Sequence, residues 1–115
     1  MADDSKSNLL QGSLDLLILH TLASGPRHGY AIARHLHVVS GALLNVEEGS
    51  LYPALHRLAH RGWIEGRWGA SESNRRAKYY RLTLKGRKQL EVETAAWSAM
   101  TRAIERVLNF RAAEA

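Results

Sequence analysis

Leucine and isoleucine recur early in the chain at helical spacing. Leu10, Leu14, Leu17, Ile18 and Leu22 fall on one stripe, which predicts a helix over residues 9–23. Leu16 and Leu19 point elsewhere, so this helix is apolar on two sides and needs two partners. Gly25-Pro26 within "ASGPRHG" predicts a stop and turn. A second helix over residues 28–39 follows from Ile32, Leu36 and Val39 at i, i+4 and i+7, and the connector after it carries a short strand at 43–46. The third helix, 48–60, ends before Gly62, and Leu51, Leu55 and Leu58 lie within about 60° of one another on its buried face. Pro53 is awkward inside it, because proline beyond the first turn removes a helical hydrogen bond; a distorted first turn or a start nearer Ser50 is expected.

The period then changes from helical to alternating. Residues 63–68 and 78–82 read as two short antiparallel strands, half-buried through Ile64 and Trp68 on one and Tyr80 and Leu82 on the other, with a nine-residue loop, 69–77, between them. Thr83 is placed to cap a last helix over 84–108. Leu90, Trp97 and Ile104 stand seven apart there, with Met100 and Val107 filling the other heptad position. A seam of that length is a docking surface, and it implies a second subunit. The element order predicts a mainly α fold with a small β-hairpin: a winged helix-turn-helix plus a long C-terminal dimerisation helix. Its divisions are a flexible tail at 1–8, the winged domain at 9–83, the dimerisation helix at 84–108 and a tail at 109–115.

Composition narrows the possibilities. A chain of 115 residues, 45% hydrophobic and 23% charged, supports one globular domain. It has no cysteine, hence neither disulfides nor a thiolate metal site. His56 and His60 stand four apart, but no third ligand converges on them, so no metal and no cofactor is expected. The start, "MADDSKSN", is acidic and polar, unlike a signal peptide, and the apolar run 14–19 is far short of the roughly 20 residues that span a bilayer. A cytoplasmic protein with no membrane partner is expected. No Gly-x-Ser-x-Gly, phosphate-cradling glycine loop or paired-histidine zinc motif is present, which argues against an enzyme.

Charge adds a partner. The net charge is +5, yet residues 56–88 hold ten lysines and arginines against two acids, so the remainder is net acidic. A folded basic block of this kind suits a polyanion, because lysine and arginine release the counterions condensed on phosphates. In a winged helix-turn-helix the third helix enters the major groove, about 12 Å wide, while the hairpin reaches backbone or minor groove. The outward face of the third helix presents His56 and Arg57, with Ser50 and Tyr52 on its flanks, and the hairpin tip presents Asn74, Arg75, Arg76 and Lys78. Arg57 is the expected guanine reader, since guanidinium pairs bidentately with O6 and N7. The alternative for the basic block is a winged-helix interaction module that binds an acidic protein.

The stretches "LDLLILHTLASGPRHGYAI", "EEGSLYPALHRLAHRGWIE" and "RRAKYYRLTLKGRKQL", in this order and spacing, resemble the short branch of the PadR family of bacterial transcriptional regulators. The resemblance implies a homodimeric repressor that binds pseudo-palindromic double-stranded DNA, with the last helix packed on the partner's first helix. Leu16, Leu19, Leu90, Trp97, Met100, Ile104 and Val107 would then form the dimer interface. It also implies a small aromatic effector, with Trp97 as the ligand platform, and it places a half-buried Tyr30 near the DNA backbone. Glu47 and Glu48 depart from the family pattern: they complement the positive end of the third helix but repel a nearby phosphate.

Overall fold

In the computed structural model, residues 4–112 are described, with side chains from residue 13 onward. The order is α1 (Asp4–Leu22), β1 (Arg27–His28), α2 (Gly29–Val39), α3 (Glu48–His60), β2 (Ile64–Ala70), β3 (Arg76–Leu82) and α4 (Leu84–Asn109). The helix expected at 9–23 begins earlier, so residues 4–8 are helical rather than tail. The side chain of Leu10 and the ends at 1–3 and 113–115 lie outside the described residues.

The core collects Leu14, Ile18, Leu19 and Leu22 of α1, Ile32 and Leu36 of α2, Leu51, Ala54, Leu55 and Leu58 of α3, and Ile64, Tyr80 and Leu82 of the sheet. Leu19 is 0% exposed. The expectation that it belongs to a dimer interface is therefore corrected: α1 packs on α2, α3, α4 and β3 and is enclosed on most sides, so Leu19 has no surface left for a partner. Leu16 keeps part of its surface. Thr21, also buried, satisfies its hydroxyl by donating to the Leu17 carbonyl at 2.7 Å. Val39, assigned by periodicity to the buried stripe of α2, stands 70% exposed where that helix outruns the core.

One local expectation fails, and the expected span of α3 with its distorted first turn is found. No strand forms at 43–46. The third strand is β1, inside the expected turn, where Arg27 and His28 pair with Tyr80 and Tyr79 to give the antiparallel order β1-β3-β2. Helix α3 starts at Glu48 despite Pro53; its first turn is tightened, since the Ser50 and Leu51 amides both donate to the Glu47 carbonyl, at 3.0 and 2.9 Å. It ends in a glycine cap: Gly62 takes φ +79° and the Trp63 amide reaches back to the Leu58 carbonyl at 3.1 Å.

Thr83 caps α4 as expected, accepting from the Gly86 amide at 3.0 Å while its hydroxyl donates to the Gly62 carbonyl at 2.7 Å. One side chain thus ties the start of α4 to the turn after α3. Beyond Leu90, which packs against the core, α4 leaves the body of the subunit. Trp97, Met100, Ile104, Val107, Leu108 and Phe110 are 44–76% exposed along it. Among the described residues, no helix is long and apolar enough to cross a membrane.

Candidate nucleic-acid interface

The hairpin is longer, and its turn tighter, than the sequence predicts. Strands β2 and β3 pair from Ile64↔Leu82 through Trp68↔Lys78 to Ala70↔Arg76, which leaves residues 71–75 for the turn. The Ser71 amide donates to the Arg75 carbonyl at 2.7 Å and the Asn74 amide to the Ser71 carbonyl at 2.8 Å, with Asn74 at φ 63°. Asparagine tolerates this left-handed geometry, so Asn74 shapes the tip. Arg76, expected at an unpacked tip, lies within β3. Its guanidinium carbon stands 4.8 Å from the centroid of the Trp68 ring.

Alternation along the strands gives the hairpin two chemically different faces. On one, Glu65 sits between Arg81 at 3.4 Å and Arg67 at 4.0 Å, which offsets their charge. The other carries Tyr80, Lys78, Trp68 and Arg76, and among the described residues Arg75, Arg76 and Lys78 make no ion pair. Trp68 was expected to be half-buried with Ile64. The two do share a face, yet Ile64 is 1% and Trp68 58% exposed, because the hairpin continues past the end of the core.

This cationic face is one wall of a cleft of about 720 Å³; the other is the start of α2 with the first turns of α3. His28 fixes that wall: its Nδ1 accepts from the Ala31 amide at 3.2 Å as the N-cap of α2, and its ring meets Tyr79 edge-on at 5.2 Å. Tyr52 reaches over from α3 onto Gly29, where even a Cβ would come within 2.9 Å of the phenol oxygen. Burial, and secondarily Tyr52, pushes the Tyr80 phenol above its ordinary value of 10.0.

Of the residues expected to bind DNA, Tyr30, Tyr52, Arg75, Arg76 and Lys78 line this cleft. Tyr30 is 67% exposed rather than half-buried, since it sits on the outer side of the first turn of α2. Asn74 is at the tip, while Ser50, half-buried in the first turn of α3, and His56, exposed further along it, are outside the cleft lining. Arg57 is likewise outside the cleft lining: it lies exposed on α3, with one guanidinium nitrogen, Nη2, paired to Asp15 of α1 at 2.5 Å. Sequence reasoning missed His28, Asp15 and Trp68. Only Trp68 carried a signal, a strand aromatic between Gly66 and Gly69 facing the basic segment 75–78.

The arrangement is a shallow aromatic slot edged by three cations and one acid, Glu72, suited to a sugar-phosphate backbone. Comparison with known proteins agrees. The Transcriptional regulator PadR-like family matches residues 18–92. A transcriptional regulator from Clostridium thermocellum is 29% identical, with a TM-score of 0.79 over 86% of this chain and 96% of its own. A PadR-like transcriptional regulator from Bacillus cereus is 31% identical, with a TM-score of 0.77 over 90% of this chain and 99% of its own. An uncharacterised protein from Lysinibacillus sphaericus is 27% identical over 87% of this chain and 92% of its own length. From the winged helix, its cationic cleft and these matches together, the chain belongs to the PadR-like family: it is a DNA-binding transcriptional regulator, not an enzyme.

Proposed function

We propose that the protein acts as a homodimeric repressor on a pseudo-palindromic duplex site. The observation that carries this reading is the cleft itself, where Arg75, Arg76 and Lys78 converge with Tyr30 and Tyr52 on one side of the molecule. In this proposal the wing cations and tyrosines hold the backbone, and the outward face of α3, with His56, meets the major groove. Two copies join through the apolar stripe of α4, with Leu90, Trp97, Met100, Ile104 and Val107 packing against the partner's α1 near Leu16. A twofold pair of α3 helices then spans half-sites about one helical turn apart, 10–10.5 bp.

The exposed Trp97, 44% accessible in the lone subunit, supports a platform for a planar aromatic effector where two α4 helices meet. Such a compound releases DNA only if it binds one separation of the paired α3 helices more tightly than the other. Gel-shift measurements with duplex from the flanks of the gene test the first part. The expected result is binding at least about 10³-fold tighter than to random duplex of equal length; equal affinity for both rejects the repressor reading. Quenching of tryptophan emission by planar aromatic compounds, abolished in Trp97→Phe, tests the second. Emission that responds identically in both proteins rejects the effector site.

A further inference from the structure

The inner face of the hairpin is a continuous ladder of cations and rings. The Arg76 guanidinium carbon is 4.8 Å from the Trp68 centroid, and Lys78 Nζ is 5.9 Å from the centroids of both Trp68 and Tyr80. Gly66 makes the ladder possible: a Cβ there would come within 2.7 Å of Lys78 Cε and 3.1 Å of the Tyr80 ring, so the lysine stem crosses the strand where no side chain stands. Trp68 stands outside the core cluster, 58% exposed on the projecting hairpin.

We propose that Trp68 is a positioning residue for DNA binding, one that holds Arg76 and Lys78 over its ring at a set spacing before the duplex arrives. This inference rests on the DNA-binding reading given above. Free arginine and lysine side chains lose rotamer freedom when they settle on phosphates. A ring that already restrains both removes part of that loss, and its negative face offers each cation a resting place that phosphate can share. The ladder therefore raises affinity without adding a contact to DNA and without reading sequence.

The test compares the wild-type protein with Trp68→Leu, Trp68→Phe and Gly66→Ala, each first checked for an unchanged melting temperature. In the DNA-free protein, proton NMR is expected to show ring-current upfield shifts on the Arg76 and Lys78 side chains. The Arg76 shift disappears in Trp68→Leu and the Lys78 shift, which Tyr80 shares, is reduced, whereas only the Lys78 shift is lost in Gly66→Ala. On DNA, Trp68→Leu should weaken specific and random duplex alike by about three- to tenfold. The slope of log affinity against log salt is retained, since both cations remain, and Trp68→Phe recovers most of the loss. Absence of the ring-current shifts, or wild-type affinity in Trp68→Leu, overturns the proposal while leaving the regulator reading intact. A loss confined to one base sequence overturns it by making Trp68 a base contact. A wild-type protein that shows the shifts yet binds no duplex overturns the regulator reading and, with it, the role given to Trp68.

Discussion

A methyl group at position 86 would lie 1.9 Å from the carbonyl oxygen of Trp63, a backbone atom that cannot step aside. Alanine is the better helix former by about 1 kcal/mol, but overpacking against backbone costs about 1–3 kcal/mol or more, and here the clash decides the sign. Gly86→Ala is therefore expected to lower stability by about 2 kcal/mol or prevent folding, as urea unfolding will show. The opposite case is Ala42, held at φ 69° in the turn after α2, a geometry unfavourable for any residue with a Cβ. Ala42→Gly should stabilise by about 0.5–1 kcal/mol in the same measurement. A third case is His35, whose pKa is lowered from 6.5 by burial first, then by Arg27 and His20. The unfolded chain then binds the proton more readily than the folded one. Its contribution is fully present above pH 6.5 and is lost as pH falls from there through the depressed folded value. A melting temperature that falls with pH across this window, and falls less in His35→Gln, is the expected outcome. Arg57 is held to Asp15 only by an exposed ion pair, worth about 0–1 kcal/mol, so it stays able to reach a base: Arg57→Ala is expected to cost about 1–3 kcal/mol and relax preference at one base pair of a selected site, and an unchanged preference there would remove Arg57 as a base reader.

At the scale of elements, the hairpin divides its labour by face. Arg75 and Arg76 are expected to act on phosphate, so each alanine variant weakens specific and random duplex to the same extent and reduces the salt slope by about 0.9. Much of this element was legible in the sequence. Alternation found both strands and the burial of Tyr80 and Leu82, and helical spacing together with Thr83 found the start of α4. Three features were not legible, each for a physical reason. A two-residue strand such as β1 carries no alternation to detect, and it exists only because β3 offers an edge. The exposure of Trp68 depends on where the core stops beneath the sheet, which the period of a strand does not encode. The ion pair of Arg57 joins residues 42 apart in sequence, so the helical wheel of α3, which placed that arginine outward as found, could not name its partner. Leu19 failed likewise, because a helix enclosed by four neighbours has little of the second free face that its leucines suggested.

The whole molecule is not compact. Its radius of gyration is 16.7 Å, against about 13 Å for a globular chain of this length, and its extents are 63 × 33 × 24 Å. The excess comes from α4, which at 26 residues is about 39 Å long and outruns the core after Leu90. An apolar stripe extended into water in this way is stable only when covered, and a second copy of the chain would bury it while setting two wings at a fixed separation. That pairing, and the recognition that depends on it, meet in a single measurement: hydroxyl-radical footprinting of the protein on a duplex selected by it from a random library. The expected pattern is two protected patches, equal in extent, related by a twofold axis and centred about one helical turn, 10–10.5 bp, apart. A single unpaired patch, or a library that yields no enriched sequence, would contradict it.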